Sequence, residues 1–161
     1  MKKSISLALA LALVTSMVVP IFASGNSKDA TVSYNPGMSY SVSIPESVVI
    51  SPETNKGVAE VSATEISLAS GYSLEMTVSS NDYADTNSWE LVDKSNSSNT
   101  LTYIIGTSEG VNDIVNNSVI LTADDTDTEV TETLYFTLQD TNAKPANYED
   151  TLTFTVNAVN N

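Results

Sequence analysis

The feature that most constrains this chain is strict alternation of side-chain character in short runs. It is plainest in Thr133-Leu134-Tyr135-Phe136-Thr137-Leu138 and Thr151-Leu152-Thr153-Phe154-Thr155-Val156. An extended strand turns successive side chains to opposite faces, so Leu134, Phe136 and Leu138 share one face, as do Leu152, Phe154 and Val156, with the threonines and Tyr135 on the other. A helix would scatter the same residues around its circumference. The two runs look like copies of one half-buried strand and are expected to form an antiparallel pair.

The same period recurs along the chain. Strands are predicted at Ala30–Tyr34, Tyr40–Ile44 with a continuation near Val48–Ile50, Val58–Leu68, Tyr72–Ser79, Trp89–Val92, Thr100–Ile105, Ser118–Ala123, Thr131–Leu138 and Thr151–Val156. Pro36-Gly37, Pro52, Ser70-Gly71, Asn81-Asp82, Asn96–Asn99, Glu109-Gly110 and Lys144-Pro145 separate them, each by fixing φ or tolerating a positive one. Strands at this spacing predict an all-β, immunoglobulin-like antiparallel β-sandwich of about eight or nine strands.

The first two dozen residues follow another logic. Lys2 and Lys3 precede an uncharged apolar run from Ile5 to Val19, followed by Pro20-Ile21-Phe22-Ala23-Ser24. A positive start, a short apolar stretch and small residues at its end are the marks of a secretory signal peptide, and the run is shorter than the roughly 20 residues needed to span a bilayer. The expected division is a cleaved signal over 1–23 and a single β-sandwich domain over 24–161.

Composition narrows the chemistry. The net charge is −14, with 20 acidic residues, no His and no Cys. Such a charge keeps a protein soluble and repels nucleic acid and anionic lipid, so neither nucleic acid nor, after signal cleavage, a membrane is an expected partner. Without cysteine there is no disulfide framework and no thiolate metal site, and stability rests on an ordinary core. Without His or Cys a nucleophilic serine lacks its usual activating base, and no spacing marks a paired-carboxylate glycosidase site, so no catalytic residue is assigned and no enzyme activity is expected.

Two resemblances rest on particular residues. The ending Tyr148-Glu149-Asp150-Thr151-Leu152-Thr153-Phe154-Thr155-Val156, with Tyr40-Ser41-Val42-Ser43-Ile44-Pro45 entering Val48-Val49-Ile50, resembles small secreted surface proteins of Gram-positive bacteria that carry one immunoglobulin-like sandwich. Trp89-Glu90-Leu91 is similar to the Trp-x-Leu motif of WxL cell-wall-binding domains, with Phe154-Thr155-Val156 in the place of the distal motif. The first resemblance implies a non-catalytic protein at the cell surface or cell wall; the second implies non-covalent attachment to peptidoglycan.

Two local groups are candidate sites. Asp124, Asp125, Asp127 and Glu129 crowd one loop and offer the oxygen ligands calcium takes outside the cell, although the spacing is not that of an EF-hand; the alternative is a solvated acidic turn, and the sequence suggests no cofactor besides calcium. Trp89, Tyr83 and Tyr72, with Tyr103, could form a flat platform for carbohydrate, against the alternative that a lone tryptophan is core. The main reading is a secreted or cell-surface protein with a structural or adhesive role through protein–protein contacts, in which threonine-rich strand edges accept partners or self-associate. The alternative is a module that binds carbohydrate or cell-wall glycan.

Overall fold

Alternation decides where the strands begin and end. The computed structural model describes residues 37–84, 88–140 and 143–161. Its strands are β1 (Ser39–Ser43), β2 (Lys56–Ser67), β3 (Tyr72–Ser80), β4 (Tyr83–Ala84), β5 (Ser88–Asp93), β6 (Thr100–Gly106), β7 (Ser118–Asp124), β8 (Glu129–Leu138), β9 (Tyr148–Glu149) and β10 (Leu152–Asn160). Every pairing between them is antiparallel. The predicted signal over 1–23 and the predicted strand Ala30–Tyr34 lie outside the described residues. Among the described residues no helix is long and apolar enough to cross a membrane.

The strands form two sheets. The larger runs β1-β2-β8-β6-β5-β4, with β9 also pairing β5, and the smaller runs β10-β3-β7. One apolar cluster is shared by both: Val61, Ala63, Leu134, Phe136, Ile105 and Trp89 come from the large sheet, and Leu74, Met76, Val78, Ile120, Leu121 and Ala123 from the small one. Fully burying a side chain the size of Leu, Met or Val is worth roughly 1.5–3 kcal/mol, so this cluster is the main source of stability.

Bulges appear where the alternation changes phase. In β2 the buried residues Val61 and Ala63 are odd-numbered, whereas the next, Ile66, is even. One extra residue must be absorbed between them, and the register against β1 slips there: Thr64 faces Ser41 but Ser67 faces Ser39. Glu65 takes a φ of 53°, so the strand steps sideways and keeps Ile66 inside. In β7, consecutive Ile120 and Leu121 are both buried, and the register against β3 shifts at Met76/Thr77 for the same reason. At the β2–β3 corner Gly71 has a φ of 83°, a conformation a side chain would strain.

The expected pairing of the two similar strands is overturned. β8 lies between β2 and β6, with Tyr135 opposite Val58 and Gly106, while β10 pairs β3 across all nine of its residues. The faces follow the alternation, since Leu134 and Phe136 are buried and Leu152, Phe154 and Val156 pack on the core from the other sheet. A common period states which side of a strand is wet, not which strand is its neighbour. The continuation near Val48–Ile50 is not a strand either; Val48 and Ile50 pack against the core, but the backbone pairs with β2 through a single bridge just beyond them, from Ser51 to Lys56.

Candidate functional site

The aromatic group predicted as a sugar platform is internal. Trp89, on β5, has no exposure, and its indole Nε1–H donates to the Ile114 carbonyl at 3.1 Å. Tyr83 on β4 stands edge-on to it, centroids 4.9 Å apart at 80°, and Tyr103 on β6 lies 6.3 Å away on its other side. Tyr103 stacks in turn on Phe136 at 6.2 Å. Tyr72 is elsewhere, at the start of β3 in the small sheet opposite Asn160. These residues share no surface, and Trp89 presents no face on which a sugar ring could stack; the motif Trp89-Glu90-Leu91 has its tryptophan in the core. Alternation could have signalled this, because Trp89 and Leu91 share a strand face, as core residues do.

The acidic loop between β7 and β8 does not converge on a point. Asp127 accepts the Asp124 N–H through Oδ2 at 2.8 Å and returns its own N–H to the Asp124 carbonyl at 3.1 Å, closing the turn. Asp125 reaches the β2–β3 corner, where its Oδ2 accepts the Gly71 N–H at 3.3 Å. Glu129 already belongs to β8, opposite Thr64. Among the described residues no three acidic side chains are grouped to hold a metal ion. Of the carboxylates that sequence proximity gathers, those of Asp125 and Asp127 are drawn to separate backbone donors.

A carboxylate that sequence reasoning missed has a clear structural task. Asp150 accepts the Ser80 hydroxyl on Oδ1 and the Tyr103 hydroxyl on Oδ2, each at 2.6 Å, and so ties the end of β3 in the small sheet to β6 in the large one. Burial first, then the Asp150 charge and hydrogen bond, push the Tyr103 phenol far above its ordinary pKa. The residue lies 70 positions from Ser80 and 47 from Tyr103, so no local pattern could announce it.

The remaining candidates are the sheet edges, and they differ in how they are defended. β1 is five residues long, carries a register slip, and is followed by Pro45. β7 is bulged and ends in Asp124, while β4 and β9 have two residues each. Short length, bulges, proline and charge are the ordinary means of keeping an edge from recruiting another strand.

β10 has none of them. It runs nine residues in unbroken register with β3, and the stretch from Thr151 to Asn161 contains no charged side chain, no proline and no glycine. Among the described residues its other edge has no strand beside it. Its inward side chains Leu152, Phe154 and Val156 are only half-buried, whereas Leu74, Met76 and Val78 on adjacent β3 are completely covered. A shallow groove of about 240 Å³, lined by Pro45, Val48, Leu152 and Phe154 among others, opens beside it. Both ends are pinned: Asp150 precedes the strand, and beyond it Asn161 donates its N–H to the Gly71 carbonyl at 2.9 Å and accepts the Ser73 hydroxyl at 2.8 Å. An extended edge fixed at both ends has already lost the conformational entropy that strand addition would otherwise cost.

No protein-family model matches the chain, and no curated protein matches it in sequence.

Proposed function

We propose that this chain is a non-catalytic, exported surface protein of a Gram-positive bacterium, an immunoglobulin-like sandwich whose role is structural or adhesive and is exercised through protein–protein contacts at a strand edge. The observation that carries the reading is β10: nine residues long, uncharged, straight in register and pinned at both ends. A row of unpaired backbone N–H and C=O groups is a template for another strand, and proteins that have no use for one blunt it. The signal-like segment at 1–23 and the absence of His and Cys agree with export and with a role that needs no side-chain nucleophile. The carbohydrate alternative loses its leading residue, since Trp89 is enclosed.

The test is retention at the surface of a secreting Gram-positive host. Thr155 and Asn157 are exposed on the outer face of β10. The double substitution Thr155→Lys/Asn157→Lys leaves the core untouched while putting two ammonium groups where a partner strand would lie. The proposal expects wild-type protein in the cell-associated fraction and the variant in the medium. Equal retention of both would overturn it.

A further inference from the structure

The surface role above rests on an edge that some strand must occupy, and we infer that the occupant is β10 of a second copy, paired antiparallel about a twofold axis through Val156.

The argument starts from charge. Two copies of a chain carrying −14 repel one another, so any self-contact must avoid opposing carboxylates. β7 ends in Asp124, and the bulged β1 stands beside Glu65, whose carboxylate accepts the Ser41 hydroxyl at 3.0 Å. The uncharged run Thr151–Asn161 is the long edge along which two copies can close without placing acid against acid.

Register then sets the pairing of the two copies. A twofold axis at Val156 pairs all nine residues: Leu152 with Asn160 of the second copy, Phe154 with Ala158, Val156 with Val156, Thr155 with Asn157, and Thr153 with Val159. Residues on the even-numbered face meet only even-numbered residues, so the core face of one copy continues into the core face of the other and the threonine face into the threonine face. Half-exposed Phe154 and Val156 gain apolar neighbours from the second copy, and the two three-stranded sheets become one of six strands. The contact is isologous and closed, giving dimers rather than fibres. Nine residues extend about 30 Å. An edge of that length covers far less than the roughly 800 Å² per partner of a standard stable interface, so the dimer is weak and concentration-dependent.

The experiment is sedimentation velocity over a concentration series on protein produced from the full chain in the same secreting host, each form purified from whichever fraction holds it. Three forms are compared: wild type, Thr155→Lys/Asn157→Lys, and Thr155→Glu/Asn157→Glu, with circular dichroism confirming that each is folded. In the inferred register each lysine faces a lysine of the other copy, so the lysine form should dimerise about tenfold or more weakly than wild type. Asn157 also lies opposite Glu75 within the same copy, so a lysine there does not oppose folding. Mixing the lysine and glutamate forms should restore dimer, which no contact elsewhere on the surface would do. If the glutamate form does not fold, the comparison of the lysine form with wild type decides alone. A wild type that stays monomeric overturns the inference, as does a dimer indifferent to both substitutions. The two readings fail separately: monomeric wild type whose surface retention still depends on Thr155 and Asn157 refutes self-pairing and leaves the adhesive edge standing, whereas retention indifferent to those residues refutes the edge itself.

Discussion

Trp89→Phe is the sharpest test of the core. The indole is wholly enclosed, between Tyr83 at 4.9 Å and Tyr103 at 6.3 Å, and its N–H satisfies the carbonyl of Ile114, itself nearly buried. Phenylalanine keeps a ring in place but removes the donor and part of the volume. Leaving a buried carbonyl without its partner costs about 1–3 kcal/mol, and the unfilled space adds about 1 kcal/mol. The expected loss is therefore about 2–4 kcal/mol against a total stability on the order of 5–15 kcal/mol, so the variant folds but is visibly weakened. The damage should also be local, because Ile114 donates its N–H to Ile105 at 3.2 Å and this pair holds the β6–β7 connection against the sheet. Urea unfolding followed by circular dichroism gives the magnitude, and hydrogen exchange over residues 107–117 gives the location. A loss below about 0.5 kcal/mol, the size expected of a surface substitution, would refute the enclosed-tryptophan account.

Further predictions follow from single contacts. Tyr103→Phe removes one of the two hydroxyls that hold Asp150 and should cost about 1–2 kcal/mol in urea unfolding, with Ser80→Ala comparable. Gly106→Ala would drive a methyl into the Val111 carbonyl oxygen, a backbone atom that cannot swing away, and should destabilise by about 1–3 kcal/mol or displace the β6–β7 connection, read by melting temperature and exchange over 107–117. The Ser95 hydroxyl and amide, with the Asn99 side chain, hold the Asp93 carboxyl below its ordinary pKa; the Thr107 hydroxyl does the same for Asp113, and the Lys94 ammonium for Glu149. In each case the unfolded chain binds the proton more readily, so the stabilisation is present at neutral pH and fades as pH falls below the usual carboxylate range. Urea midpoints should therefore drop more steeply between pH 5 and pH 3, roughly the carboxylate range, in wild type than in Asp93→Asn, which should be weaker at neutral pH and flatter in acid.

Much of the fold is legible in the residues, and the limits have physical causes. Val61, Leu74, Leu134 and Phe136 declare their strands because alternation against threonine and serine is what a half-buried strand requires. The same alternation is silent about neighbours, and so the resemblance of Thr133–Leu138 to Thr151–Val156 suggested a pairing that β2, β6 and β3 take instead. Two-residue strands such as Tyr83–Ala84 and Tyr148–Glu149 have no period to detect; they exist because β5 offers them a backbone. Apolar Val48–Ile50 reads as a strand, and its alternation holds, since Val48 and Ile50 pack against the core while Val49 is exposed; what the segment lacks is a paired neighbour, which alternation cannot report. The candidate edge was half visible: its threonines and lack of charge are in the sequence, but its place beside β3 and its inter-sheet anchor through Asp150 depend on residues far apart in the chain.

Hydrogen exchange of the peptide spanning residues 152–160, measured across protein concentration, tests the central claim most directly. In an antiparallel edge strand about half of the amides point at the neighbour and half point outward. The account predicts that dilute protein protects the half facing β3 and exchanges the rest within seconds, and that the outward half becomes protected as concentration rises. Full protection at every dilution would mean that the edge is already covered, and half protection at every concentration would mean that no second copy covers it; either result contradicts the account.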